Sequence, residues 1–156
     1  MGRKSAGVLM YRFNGGVLEV LLGHMGGPFW AKKDEHAWSI PKGEFNHDEQ
    51  PLQGAKREFE EETGYAPQGE FLELTPRKQS GGKEVMAWAV EGDWDPSTLV
   101  SNTFTMEWPP RSGKEREFPE IDRAEWFPLD VARRKVVRGQ IGFIDELHER
   151  LGSGES

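Results

Sequence analysis

Residues 41–65, PKGEFNHDEQPLQGAKREFEEETGY, decide how this chain is read. The stretch predicts a helix over Pro51–Thr63 with a clear start and stop. Asp48 and Glu49 lie just before Pro51, and proline is favoured in a first helical turn. Gly64 follows the last helical residue, as a left-handed C-terminal cap requires. On a wheel of about 100° per residue, Leu52, Ala55, Phe59 and Thr63 share one face, suited to packing on a sheet. Glu58, Glu61 and Glu62 occupy an adjacent arc, related by i,i+3 and i,i+4 spacing. Gly54 lies within that arc and leaves room there for a loop, an ion or a ligand.

This carboxylate arc opposes helix formation. Like charges at i,i+4 destabilise a helix by roughly 0.2–0.5 kcal/mol per pair. Glu60, Glu61 and Glu62 also crowd the C-terminal end, where the helix dipole favours cations. Lys56 and Arg57 compensate in part. A local rule broken without structural gain points to a functional site. Two readings stand: a solvated acidic face, or a site for a hard cation such as Mg²⁺, which takes carboxylate and phosphate oxygens.

Outward from the helix, apolar runs at Ser5–Phe13 and Leu18–Leu22 flank Asn14-Gly15-Gly16 and predict a β-hairpin. His24–His36 reads as a loop broken by Gly26-Gly27-Pro28. Trp38–Ile40 is a short strand ending at Pro41, and Glu70–Leu74 and Glu84–Val90 are further strands. The latter pairs with the segment before it through a Gly81-Gly82 turn. Ser101–Pro119, with three Pro and one Gly, reads mostly as loop. Ala124–Phe127 is a last strand, followed by helices at Asp130–Val137 and Gln140–Leu151. In the second of these, Ile141, Ile144, Leu147 and Leu151 recur at helical spacing, so one face packs on the core. Strands mixed with helices imply a sheet covered by helices on its faces.

The chain has 156 residues, which suits one domain over 1–151 with a flexible tail at Gly152–Ser156. Its formal net charge of −7 argues against general nucleic-acid binding but not against a small phosphorylated ligand. The absence of cysteine excludes disulfides, thiol catalysis and Cys-ligated metal centres, and fits a reducing compartment. No apolar run suits a signal peptide or a membrane span, so no membrane partner is expected and the cytoplasm is the default location. There is no P-loop sequence and no H-E-x-x-H spacing among the four histidines, which sets aside P-loop and zincin chemistry. His148 reads as structural.

Gly43, Glu49, Arg57, Glu58, Phe59, Glu61, Glu62, Gly64 and Tyr65 stand at the spacing of the Nudix box, with Tyr65 its loosest position. Chance agreement at the seven fixed identities is on the order of 10⁻⁸. The chain therefore resembles the Nudix hydrolase family. The resemblance implies an α/β fold, an α/β/α sandwich with a mixed β-sheet, and hydrolysis of a phosphoanhydride bond with Mg²⁺, or alternatively Mn²⁺. It implies that Glu58, Glu61 and Glu62 bind the metal with the carbonyl of Gly43, and that Arg57 orients a catalytic glutamate. It assigns Glu49 to support of the loop–helix junction, and the general base to Glu61 or Glu58. A distal carboxylate a few residues before a Trp is also expected. Glu120, six residues before Trp126, is the candidate, with Glu117 and Glu125 as rivals.

For the substrate, Lys42, Lys33 and Arg111 are candidate phosphate contacts, with Lys32, Lys114 and Arg116 in the same two loops. Trp30, Trp38 and Trp108 are candidates for stacking on a base, against core packing for each. The run WSIPKG at Trp38–Gly43 resembles the dinucleoside-polyphosphate and diphosphoinositol-polyphosphate hydrolase branches. Dinucleoside polyphosphates rank first as substrate. The alternatives are a non-catalytic nucleotide sensor on the same fold and an RNA 5′-end pyrophosphohydrolase. The oligomeric state is not legible.

Overall fold

The computed structural model describes residues 4–46, 48–79 and 82–152. Among them, β1 (Lys4–Asn14) and β2 (Val17–Met25) form the expected hairpin around Gly15 and Gly16, both at positive φ. Next come β3 (Trp38–Ser39), β4 (Lys42–Glu44) and α1 (Pro51–Thr63). Then follow β5 (Leu72–Glu73), β6 (Arg77–Lys78) and β7 (Glu84–Glu91). The chain continues through β8 (Thr103–Glu107), β9 (Glu115–Pro119), β10 (Ile121–Pro128), α2 (Leu129–Lys135) and α3 (Ile141–Leu151).

The main sheet has eight strands in the order β10-β2-β1-β7-β5, with β3 on β2, β4 on β1 and β6 on β7. β1 and β7 pair in parallel and the other pairs are antiparallel, so the sheet is mixed. Its two faces are read off the alternation of side chains along a strand. Ala6, Val8 and Met10 of β1 pack with Trp88 and Val90 of β7 beneath Ala55 and Phe59 of α1. Leu9, Val20, Leu22, Val85, Ala87 and Ala89 face the other way, against Ala132 of α2 and Phe143, Ile144 and Leu147 of α3. Burial on both faces explains why β1, β2 and β7 read as nearly continuous apolar runs. Three helices on two faces make the α/β/α sandwich. Among the described residues, no helix is long and apolar enough to cross a membrane.

Four expectations change. Ser101–Pro119 is not mostly loop: β8 and β9 form a separate antiparallel hairpin, with Phe104 opposite Phe118 at 6.0 Å between ring centroids. Its prolines stand in the connection and at the strand end, and they mask the alternation of Thr103–Glu107. His24 belongs to β2 and not to the following loop, because that strand runs on to Met25. β4 was not foreseen; three residues without apolar alternation become a strand by pairing with Ser5–Gly7. Glu70–Leu74 shortens to Leu72–Glu73. The segment before β7 does pair with it, as β6, and Gln79 N donates to Lys83 O at 2.7 Å. Gly81 of the expected turn and residues 153–156 of the tail lie outside the described residues.

Candidate active site

The site is assembled from β4, α1 and the β9–β10 junction. Helix α1 begins with Pro51 and ends at Gly64, whose φ of 85° lets its N–H reach Glu60 O at 2.7 Å. Ala55, Phe59 and Thr63 are buried against the sheet. This fixes the rotation of the helix and turns Glu58 and Glu62 toward β4. Thr63 anchors the last turn by donating from Oγ1 to Phe59 O at 2.7 Å.

Arg57 is the hub of the exposed side. Its Nε and Nη2 donate to both carboxylate oxygens of Glu49, at 2.9 and 3.1 Å. Its Nη1 donates to Glu58 Oε2 at 3.0 Å and to Glu61 Oε2 at 3.1 Å. Glu49 also accepts from Asn46 N at 3.1 Å, so one arginine ties the preceding loop to the helix. The Glu49 pairing, followed by Glu61 and Glu58, holds the Arg57 guanidinium firmly charged.

Behind this clamp, Glu62 is 9% exposed and its Oε1 accepts from Lys42 N at 3.3 Å. Burial, then Glu58 and Glu120, pushes the Glu62 carboxyl well above the usual carboxylate range. Burial also raises Glu58, with Glu61 and Glu120 adding and Arg57 opposing. Glu120 is raised by burial, with Lys42 opposing. The Lys42 ammonium is itself lowered by burial and by Lys83, against the pull of Glu62, Glu58 and Glu120. Lys42, Glu62 and Glu120 line a pocket of about 110 Å³ with Gly23, Met25, Ser39, Ile40 and Ile121. A Cβ at Gly43 would fall on the Glu58 carboxylate, so any other residue there displaces that side chain.

The structure thus brings Glu58, Glu62, Glu120, Lys42 and Gly43 together, with Arg57 and Glu61 on the adjoining side. Glu117 is exposed in β9, and Glu125 is exposed in β10, paired with Arg123. Among the described residues, no three acidic or imidazole side chains converge as a ready-made metal cage. Arg57 draws Glu58 and Glu61 outward, and Lys42 stands with Glu62 and Glu120. The donor set nonetheless suits a hard divalent cation. All its side chains are carboxylates, and such a cation offsets both the burial that chiefly raises Glu58 and Glu62 and the repulsion from their neighbours that adds to it.

Lys33 and Arg111 do not line the pocket. Lys33 is exposed with its ammonium 5.3 Å from the Trp30 ring centre, and Arg111 stands at the turn of the β8–β9 hairpin with φ of 63°. Trp38 is 1% exposed, packed edge-on against Phe127 and His24, so it is core and not a stacking platform. Two buried polar groups next to the site escaped sequence reading. His24 Nε2 lies 2.6 Å from Lys33 O and its Nδ1 lies 2.8 Å from Asp122 Oδ1. Gln140 accepts from Ile40 N at 3.0 Å and donates to Ser39 Oγ at 3.0 Å. Their partners stand up to about a hundred positions away, beyond any local signal.

The NUDIX domain family model matches residues 1–147. The RNA pyrophosphohydrolase of Stenotrophomonas maltophilia (strain K279a) is 41% identical over 68 residues, covering 42% of this chain and 32% of that protein. The chain therefore aligns with about a third of the length of this curated relative. A Caenorhabditis elegans Ap4A hydrolase binary complex superposes with a TM-score of 0.66 at 19% identity, covering 94% of this chain and 97% of the other. The NUDIX domain of Shewanella oneidensis NrtR, complexed with ADP ribose, gives 0.67 at 17% identity, covering 97% and 89%. At these identities the two structures speak for the fold.

Proposed function

Because the chain belongs to the Nudix domain family, we propose that it is a divalent-metal-dependent pyrophosphohydrolase of small nucleotides, with dinucleoside polyphosphates as its preferred class. The observation that carries this reading is the pairing of Glu62 and Glu120 with Lys42 in one pocket, with Glu58 near enough to raise Glu62 and held by the adjoining Arg57 clamp. Glu58, Glu61, Glu62, Glu120 and the Gly43 carbonyl are the groups that would hold the metal, with Mg²⁺ favoured over Mn²⁺. Bound there, such an ion would offset phosphoryl charge and lower the pKa of a coordinated water.

The protein's own groups do the rest. Glu58 or Glu61 takes a proton from the attacking water. The water oxygen bonds to phosphorus, the bridging P–O bond breaks, and its electron pair leaves with the departing phosphate. Arg57 holds both candidate bases in place. Lys42 offers its ammonium to a phosphoryl oxygen as negative charge gathers. Lys33 and Arg111, outside the pocket, contact outlying parts of the substrate. The RNA 5′-end reading is the second one, favoured by the 68-residue likeness to an RNA pyrophosphohydrolase.

The test is hydrolysis of dinucleoside polyphosphates, ADP-ribose, nucleoside triphosphates, diphosphoinositols and 5′-triphosphate RNA in ¹⁸O-water with Mg²⁺, read by mass spectrometry. Glu58→Gln and Glu61→Gln fold normally, and turnover falls by about 10²-fold or more in the one that removes the base. Wild-type turnover in both variants would sink the assignment.

A further inference from the structure

Strand β10 pairs with β2 in one register from Arg123 onward and in another at Ile121: Arg123 stands opposite His24, and Ile121 opposite Met25. Asp122 is therefore an extra residue between them, a β-bulge. Bulges next to active sites re-aim side chains, and this one reverses the alternation of β10. Asp122 and Arg123 turn to the same face: the Asp122 carboxylate reaches the His24 ring, and the Arg123 guanidinium lies 5.1 Å from the centre of the Trp38 ring. Ile121 turns to the other face, where it lines the carboxylate pocket next to Glu120. In the regular register Ile121 would leave the pocket, and Glu120 would shift by one residue, about 3.4 Å, along the strand.

His24 grips this bulge. It is fully buried, on the β2 face that otherwise carries Val20 and Leu22. A polar ring in an apolar row costs stability unless its nitrogens are paired. Its Nδ1 lies 2.8 Å from Asp122 Oδ1, and its Nε2 donates to Lys33 O at 2.6 Å. The ring also packs edge-on against Trp38, centres 5.2 Å apart, which fixes its place. One side chain thus ties the extra residue of β10 to β2 and to the loop that follows β2. The backbone completes the grip. Ile121 N donates to Ser101 Oγ at 3.1 Å, Glu120 N to Asn102 O at 3.0 Å, and Gly26 N to Glu120 O at 3.0 Å. Asn102 N in turn donates to Glu61 O at 2.8 Å, which joins the Glu120 junction to the helix of the other glutamates.

We propose that His24, through Asp122, is a positioning residue that locks the bulged register of β10 and thereby sets the Glu120 carboxylate in the pocket with Glu62. The inference rests on the hydrolase reading, in which Glu120 is among the metal-holding groups, and adds what keeps it there. His24 and Asp122 do not themselves line the pocket, so their effect passes through Glu120.

The main variant is Asp122→Ala, at an exposed position. His24→Phe, which keeps a ring against Trp38, is the second, and Asp122→Ala decides alone if it does not fold. In metal-free protein, amide hydrogen exchange at Gly26, Glu120 and Ile121, followed by NMR, quickens by about 10-fold or more in Asp122→Ala, while β1 keeps its protection. Mn²⁺ binding, followed by electron paramagnetic resonance, weakens by about 10-fold in the same variant. Glu120→Gln also weakens it, and the double variant loses no more than Glu120→Gln alone, because the clamp acts through that carboxylate. Losses that multiply in the double variant overturn the inference. So does unchanged exchange at the three amides, or a loss of protection that spreads to β1, since the pair would then support the whole sheet. If the wild type binds no Mn²⁺ and cleaves no nucleotide, the hydrolase reading fails separately, and exchange at the three amides judges the clamp by itself.

Discussion

Glu62 shows at the scale of one residue what the site costs the metal-free protein. Its carboxyl is buried beside Glu58 and Glu120, and its ionisation is driven well above the usual range. A carboxyl whose folded-state pKa is raised contributes stability that is complete below its unfolded value and is lost as pH rises through the folded value. Metal-free protein is therefore destabilised by ionised Glu62 at neutral and alkaline pH. Glu49 has the opposite sign, since Arg57 lowers its pKa and its contribution is lost on acidification. Glu62→Gln keeps an oxygen to accept from Lys42 N and removes the charge. The variant is expected to melt above wild type in EDTA at pH 8, by about 2–4 °C for each kcal/mol recovered. The gain shrinks as pH falls through the raised folded value toward the ordinary carboxylate range, and is gone below that range. A lower melting temperature for the variant at pH 8 would show that Lys42 already neutralises the charge.

At the scale of the element, α1 carries a glycine where an alanine would favour the helix by about 1 kcal/mol. Gly54 is not open to an ion or ligand: an added Cβ would lie 2.6 Å from Phe45 Cβ and 3.3 Å from Glu49 Oε1. The room it leaves is taken by the loop that Glu49 ties to Arg57. Gly54→Ala should therefore reverse the usual propensity and destabilise by roughly 1–3 kcal/mol, the range for overpacking. Urea unfolding measures it, and an unchanged or higher midpoint would mean that the loop yields freely. The helix bounds themselves were legible, because Pro51 and Gly64 act locally. Its place over the sheet followed from the spacing of Ala55, Phe59 and Thr63. Strand β4 was not legible, since Lys42-Gly43-Glu44 becomes a strand through partners at Ser5–Gly7.

At the scale of the whole molecule, two cores clasp the main sheet while β8 and β9 stand apart as a two-stranded sheet. Few of their side chains are covered, with exposed residues alternating with half-buried ones along β8. Local opening follows that difference in burial. Amides of Thr103–Glu107 and of β9 are expected to exchange with deuterium well before those of β1, β2 and β7. Equal protection would mean that the hairpin unfolds only with the domain.

The sequence by itself determined the family, the fold class, the helix that bears the glutamates and the hairpin that opens the sheet. These rest on turn chemistry, caps and periodicities that act over a few residues. Only the tertiary structure decided which distal carboxylate lies with Glu58 and Glu62. Glu117, Glu120 and Glu125 are alike in sequence, and the junction between β9 and β10, beside a register shift after Ile121, brings Glu120 to the pocket. It likewise decided that Trp38 is core, that Gln140 holds Ile40, and that Phe29 meets Trp108. Each depends on partners far apart along the chain, so the packing of sheet and helices, and not local propensity, sets the outcome.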